Sequence, residues 1–244
     1  QEGCDMAELD PPAVCWEGGG MRFIPAVLAL LLASPVGAEE SRLCPDPIFQ
    51  VAATNDALVD RTCRTAAAAR ESLKSCGIEL SEPLEIRVVD AISNSLGKCL
   101  GIYHCGEQQI EVLSPDALST IRERDGAFMG ISDTAYWDSI IVHELTHAAY
   151  DAVTCPFSSC VATSEYASYA MQVRSLPPEE QARFGETIVL KSKSNLGAIS
   201  AMFYFMAPDR FAKYAWQHFS SLPEPCAYMS LIMDGKIFFD MEPL

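Results

Sequence analysis

Alternating hydrophobic and polar residues mark the strands of this chain. Leu84–Val89 places Leu, Ile and Val at every second position, with charged residues between them. A period of two is typical of a β-strand with one buried face. Residues 100–103 and 109–113 are predicted as two further strands, joined by a turn at residues 105–107. An extended arm is predicted before them, at residues 39–50, where Pro45 and Pro47 oppose regular structure.

Helical patterns lie on both sides of this strand region. Asn55 is placed to cap a helix that ends near residue 76, and Gly77 takes the position of the C′ glycine. After residue 134, every element that the pattern predicts is a helix. These helices are expected at residues 134–151, from Thr163 or Ser164, from Pro177, at 196–206, at 208–220, and from Pro225 to about Gly235. The order of elements predicts an α+β class, with a small antiparallel or mixed sheet followed by a helical half.

The first 38 residues are predicted to lie outside the mature domain. Arg22 precedes an apolar run at residues 23–33, and small residues follow up to Ala38. This pattern is typical of a secretory signal peptide at residues 21–38, and the run is too short to span a bilayer. Residues 1–20 show no periodicity and are interpreted as an upstream extension, disordered or artefactual. Residues 39–244 are predicted to form a single domain.

Charge narrows the range of partners. Residues 39–244 contain 16 basic and 28 acidic residues, and the basic ones are scattered along the chain. A net charge of −12 without a basic stripe argues against binding to nucleic acid or to an anionic membrane surface. No segment after residue 38 is apolar enough to predict a membrane span.

The cysteines indicate an oxidising compartment. Eight cysteines follow residue 38, and an even number behind a signal peptide predicts four disulfide bonds in a secreted or periplasmic protein. Two pairs are close in sequence and are predicted here, namely Cys155 with Cys160 and Cys99 with Cys105. Free buried thiols are the alternative.

The strongest chemical signal is the segment His143-Glu144-Leu145-Thr146-His147, which lies within an apolar stretch. Residues i and i+4 share a helix face, so both imidazoles can bind one Zn²⁺ ion. Glu144 then stands beside the metal, where a general base for a metal-activated water is needed. The alternative is a buried polar helix or a degenerate site, although ionisable groups in such a helix are costly unless paired or metal-bound. The predicted reaction is amide hydrolysis.

A catalytic zinc site usually has a third protein ligand and a water molecule. The downstream candidates are Asp151, Glu165, Glu179, Glu180, Glu186 and His218. Asp151 follows His147 by one turn of the same helix, so it cannot easily turn back to the metal. Glu165 is predicted as the ligand, because it lies on the next helix after a short loop that Cys155 and Cys160 would clip.

Residues 143–147 and 164–169 resemble the gluzincin branch of zinc metallopeptidases. The chain is also similar to small secreted bacterial proteins of uncharacterised function that carry an HELTHA segment. The resemblance covers about residues 84–175 and implies a zincin-like fold, zinc as cofactor and a glutamate ligand on the second helix. Three features depart from the gluzincin pattern. Glu165 follows His147 after fewer residues than in the best-known members, Tyr169 stands where an acidic residue is frequent, and the helical half is short. The extension after the second histidine that is typical of the metzincin branch is absent here.

Supporting roles are assigned less directly. A hydrolase of this kind needs a donor for the developing oxyanion, and the candidates are Tyr166, Tyr169, His218 and Tyr228. In the gluzincins that the chain resembles, a downstream His or Tyr has this role, and His218 is the first choice here, with a helix-face histidine bonded to the backbone as the alternative. The strand at residues 109–113 is either a rim to which a peptide adds as a further strand or an ordinary core strand.

These observations favour a secreted zinc peptidase that acts on peptides or proteins. One alternative is a non-catalytic secreted domain that keeps a zinc-bound helix pair as a scaffold or interaction module. Another is an inhibitor or binding protein held by disulfides, without a metal. The presence of Glu144 favours the peptidase, because a degenerate site is expected to lose its base before its ligands. The sequence assigns neither a particular substrate nor an oligomeric state.

Overall fold

The computed structural model describes residues 40–92, 99–122, 126–187 and 196–240. The predicted signal peptide and upstream extension lie outside these residues. The described strands form one mixed sheet with the order β1-β2-β3-β5-β4. The strands are β1 (Glu40–Leu43), β2 (Phe49–Ala53), β3 (Leu84–Val89), β4 (Gly101–His104) and β5 (Gln109–Leu113). β2, β3 and β5 run parallel to one another. The edge strand β1 pairs antiparallel with β2, and the edge strand β4 pairs antiparallel with β5.

The sheet differs from the prediction at both of its edges. The expected extended arm contains β1 and the start of β2, which pair with each other. The sequence of β2 shows no alternation of apolar and polar residues, because all of its residues except Gln50 are buried. The strand was therefore not predicted. At the other side, β5 is an inner strand between β3 and β4. The edge available to a peptide on that side of the described sheet is therefore β4 and not residues 109–113.

The described α-helices confirm the predicted helical half. They are α1 (Asp56–Lys74), α2 (Pro115–Ile121), α3 (Asp133–Tyr150), α4 (Val161–Ser175), α5 (Pro178–Thr187), α6 (Ala201–Met206), α7 (Pro208–Ser221) and α8 (Pro225–Met233). Asn55 caps α1 by accepting a hydrogen bond from Leu58 N, as its position predicted. The observed class is thus α+β.

Helices α1 and α3 pack on the sheet and enclose the core. The apolar residues of β3 that define its alternation are buried, and β4 and β5 bury alternate residues in the same way. Trp137 of α3 is buried, and its indole Nε1 donates a hydrogen bond to Leu113 O of β5 at 2.7 Å. A buried indole N–H needs such a partner. The contact fixes α3, the helix with the two histidines, against the end of β5.

Helix α4 begins earlier than the sequence predicted, at Val161. Its N-cap residue, Cys160, makes no side-chain capping bond. The buried carboxylate of Asp240 caps the helix instead. It accepts hydrogen bonds from Ala162 N, Thr163 N and Thr163 Oγ1 at 2.9, 3.0 and 2.6 Å. A capping side chain is worth about 1 kcal/mol, and a negative charge also suits a helix N-terminus. Residues after α8 therefore hold the start of α4.

Three disulfide bonds are described: Cys44–Cys63, Cys76–Cys226 and Cys155–Cys160. The last confirms a predicted pair. Cys99 and Cys105 are also disulfide-bonded, but their predicted pairing with each other stays a prediction. No described helix combines the length and the apolar character needed to cross a membrane.

Candidate metal centre

Helices α3 and α4 bring the three predicted ligands together. His143 and His147 lie one turn apart on α3, and Glu165 lies in the second turn of α4, past the loop that Cys155–Cys160 closes. The Nε2 atoms of the two histidines are 3.0 Å apart. Glu165 Oε2 lies 3.6 Å from His143 Nε2, and Glu165 Oε1 lies 3.5 Å from His147 Nε2. The three side chains thus converge on one point.

The dimensions of this group fit a zinc ion. Two ligands of a tetrahedral zinc with bonds of 2.0–2.1 Å are separated by about 3.3 Å. The observed separations of 3.0, 3.5 and 3.6 Å lie on both sides of that value. Within the part of the chain that the structure describes, these are the His, Cys, Asp and Glu side chains that form a potential metal cluster, with ligand atoms within 4.8 Å of one another. Two imidazoles and one carboxylate leave the fourth position for water.

The second nitrogen of each imidazole faces away from this point and has its own partner. His143 Nδ1 lies 2.9 Å from Gln172 Oε1, and His147 Nδ1 lies 2.8 Å from Ser164 Oγ. Gln172 Nε2 in turn donates to Ser139 Oγ at 3.3 Å. Outer partners of this kind fix the ring orientation and the tautomer of metal-binding histidines. They leave each Nε2 turned towards the proposed metal.

Sequence reasoning missed both outer partners. A signal for Gln172 existed, because it follows Glu165 by two helical turns and so shares its face of α4. Gln172 supplies a neutral amide as the partner of His143. The position that is often acidic in gluzincins is occupied here by Tyr169. Ser164 precedes Glu165 directly, and no spacing rule singled it out.

Burial and charge make the group suitable for a cation. The side chains of His143 and Glu165 are 2% and 0% exposed. Burial, followed by repulsion from His147, holds the pKa of His143 well below its usual value. At neutral pH the imidazole is therefore in the neutral form that binds metals. A buried carboxylate that converges with two imidazoles favours a positive ion at the point where they meet.

Glu144 and Asp151 connect α3 to the edge strand β4. The buried side chain of Glu144 lies against Gly101, the first residue of β4. Asp151, considered above as a ligand, instead accepts bonds from Tyr103 Oη at 2.9 Å and Gly106 N at 3.2 Å. The base candidate thus stands next to the sheet edge, and Asp151 anchors the end of the same helix to the β4–β5 hairpin.

The other ligand candidates lie elsewhere. Glu180 is buried, accepts a bond from Ser132 N and pairs with Arg183. Glu179 and Glu186 are exposed on α5. None of these three belongs to the described metal cluster.

The predicted oxyanion donors fall into two groups. The buried ring of Tyr169 packs edge to face on the imidazole of His143, with 4.8 Å between centroids. His218 of α7 is placed beside Tyr166 and Tyr228, and Tyr166 Oη lies within hydrogen-bond distance of His218 Nδ1, at 2.8 Å. Burial raises the pKa of Tyr166 and lowers the pKa of His218, so both are neutral in this bond. Tyr169 thus contacts His143, and a catalytic role for Tyr169 or His218 stays a prediction.

Replacing Gln172 with alanine is expected to weaken zinc binding about 10–100-fold, because the ring of His143 loses its orienting partner. Competition with a chromogenic chelator at fixed pH measures the change. Gln181→Ala is the matched control, since the side chain of Gln181 donates to the backbone carbonyls of Arg174 and Leu176, away from both histidines. Equal zinc affinity in the parent and Gln172→Ala would contradict the role of Gln172.

No curated protein and no solved structure matches this chain. One family model does match, and its description states that the function of its members is unknown. The match runs over residues 49–242, which include the sheet from β2 onwards, both ligand helices and Asp240. Because it covers most of the sequence, the chain belongs to the family of unknown function DUF6639.

Proposed function

We propose that this protein is a secreted zinc-dependent peptidase that hydrolyses amide bonds of peptide or protein substrates. The observation that carries the proposal is the convergence of His143, His147 and Glu165 with ligand atoms within 4.8 Å of one another. Glu144, the residue after His143, supplies a carboxylate at the position expected of a general base.

The roles of the side chains follow from their positions. A bound zinc ion would supply a Lewis acid that polarises the substrate carbonyl and lowers the pKa of a water ligand to about 7. His143, His147 and Glu165 would hold the ion, and Gln172 and Ser164 keep the two rings in orientation. Glu144 accepts the proton of the attacking water and returns it to the leaving nitrogen. Tyr169 or His218 would donate to the developing oxyanion.

The proposed location rests on the cysteines. Bonds such as Cys44–Cys63 and Cys76–Cys226 persist in oxidising compartments, which include the periplasm and the extracellular space. The signal-peptide pattern at residues 21–38 agrees with this location.

One observation favours a second function. Helices α3 and α4 are fixed by Cys155–Cys160 and by the Asp240 cap. A zinc ion bound between two helices that are fixed in this way could have a purely structural role, as a clamp. A non-catalytic domain of this kind needs no general base, whereas Glu144 supplies a carboxylate at the position expected of one. The peptidase is therefore preferred.

The test begins with the protein purified from a secreting host. Elemental analysis is expected to find one zinc per chain. Digestion of a broad peptide library is expected to give cleavage that a chelator abolishes and added zinc restores. Zinc without cleavage, across peptides and cell-wall fragments, would favour the structural clamp. Absence of zinc after saturation with the ion would contradict both functions.

A further inference from the structure

The first residue of β4 has an unusual neighbour. A Cβ atom built on Gly101 would lie 2.7 Å from Oε1, 2.9 Å from Cγ and 3.0 Å from Cδ of Glu144. Side-chain carbons do not approach other atoms this closely without displacement. Three atoms of one carboxyl-bearing side chain would have to move, and not its tip alone.

The backbone does not explain this glycine. Gly101 is absent from the described residues with positive φ, so any amino acid can adopt its conformation. It lies in a strand, where glycine packs poorly and often marks a close approach of another group. The contact with Glu144 is therefore the feature of the structure that requires a hydrogen at this position.

Neither partner has room to retreat. Glu144 is a residue of α3, is 3% exposed and lies against Gly101 of β4. Asp151, two turns further along α3, holds the same strand through Tyr103 and the following turn through Gly106. The helix and strand are thus fixed relative to each other close to the contact. An added methyl group would act on the side chain of Glu144.

We propose that Gly101 is a positioning residue, which sets the place of the Glu144 carboxylate by leaving space for it on the edge strand. Its catalytic consequence rests on the proposed peptidase function, whereas the contact itself does not. The three atoms nearest to a Cβ built on Gly101 all belong to Glu144, and none belongs to a proposed metal ligand. Substitution should therefore separate the position of the base from the binding of the metal.

The first experiment compares zinc binding with turnover in Gly101→Ala. Zinc affinity is expected to stay within about threefold of the parent, since the ligands and their outer partners are untouched. The value of kcat is expected to fall about 10²-fold, as a displacement of about 1 Å in a catalytic group can cause. Gly185→Ala is the control, because a Cβ on Gly185 of α5 would have no neighbour within 4 Å. Unchanged kcat in an active enzyme would overturn the positioning role.

The second experiment needs no activity. Gly101→Ala is measured by thermal unfolding of the zinc-free protein, both in the parent and in a Glu144→Ala background. With Glu144 present, the added methyl group is expected to lower Tm by about 2–10 °C, as overpacking does. In the Glu144→Ala background the penalty should disappear, because the obstructing side chain is gone. A double variant that folds while Gly101→Ala alone does not would support the proposal equally.

An equal loss of Tm in both backgrounds would overturn the proposal, as would a double variant that fails to fold when Glu144→Ala alone folds. This result is independent of the peptidase assay. If the parent cleaves no peptide but the penalty depends on Glu144, the proposed function fails and the contact stands. If the parent is active but the penalty ignores Glu144, the function stands and Gly101 has no positioning role.

Discussion

Glu144→Gln is expected to lower kcat by about 10²–10⁴-fold, the range that a positioned general base contributes. Glutamine keeps the size of the side chain but cannot accept the proton of the attacking water. The metal ligands of α3 and α4 are unchanged, so zinc content should remain at one ion per chain. Turnover of a cleaved library peptide, together with elemental analysis of the same sample, measures both quantities.

The control replaces another buried glutamate. Glu180 is 5% exposed and bonds with Ser132 and Arg183 at α5, outside the metal cluster. Glu180→Gln removes one buried carboxylate while leaving the proposed base in place, so kcat should stay close to that of the parent. Full activity in Glu144→Gln would show that another residue is the base and would remove the main argument against a structural clamp.

Glu165→Ala is expected to lose zinc rather than only turnover. The carboxylate is the sole ligand from α4 in the described cluster, and its removal leaves two imidazoles from one helix. The affinity should fall by more than about 10²-fold, the upper end of the effect of losing an outer partner. The stabilisation of the folded state by zinc should fall with it, because binding and folding are coupled. Titration against a chelator and calorimetry with and without zinc measure the two effects.

Ser168→Ala provides the control on the same helix. Ser168 is buried on α4 three residues after Glu165 and belongs to no described metal cluster, so this variant tests whether a small change in the helix disturbs zinc. Its affinity should equal that of the parent. If Glu165→Ala also binds zinc as tightly as the parent, the third ligand lies elsewhere and the likeness to gluzincins does not extend to the site.

The sequence predicted those elements whose pattern is local. Leu84–Val89 was predicted with its observed bounds, because one face is buried and the other half-exposed. β2 was missed because four of its five residues are buried, which removes the alternation. The start of α4 was misplaced for a different reason. Its cap comes from Asp240, whereas the prediction looked for a capping side chain next to the helix.

The site shows the same division. His143, Glu144 and His147 follow from spacing within one helix, and Glu165 follows from a short loop between two helices. Gln172 shares a helix face with Glu165 and was within reach of the same reasoning. Gly101 could not be predicted by such reasoning. Its contact with Glu144 joins a strand and a helix that are distant in sequence, and it depends on the position of β4 at the edge of the sheet.

The Asp240 cap also bears on the order in which the domain assembles. Synthesis delivers a chain from its N-terminus, so both histidines and Glu165 emerge well before residue 240. Until Asp240 has been synthesised, the first backbone N–H groups of α4 lack the carboxylate that accepts their hydrogen bonds. Cys155 and Cys160 have been synthesised by then and can close their loop. A nascent chain therefore presents Glu165 on a helix whose N-terminus is not yet capped. The N-terminus of α4 is capped only when Asp240 reaches it, so under the proposed function we expect tight metal loading after translocation.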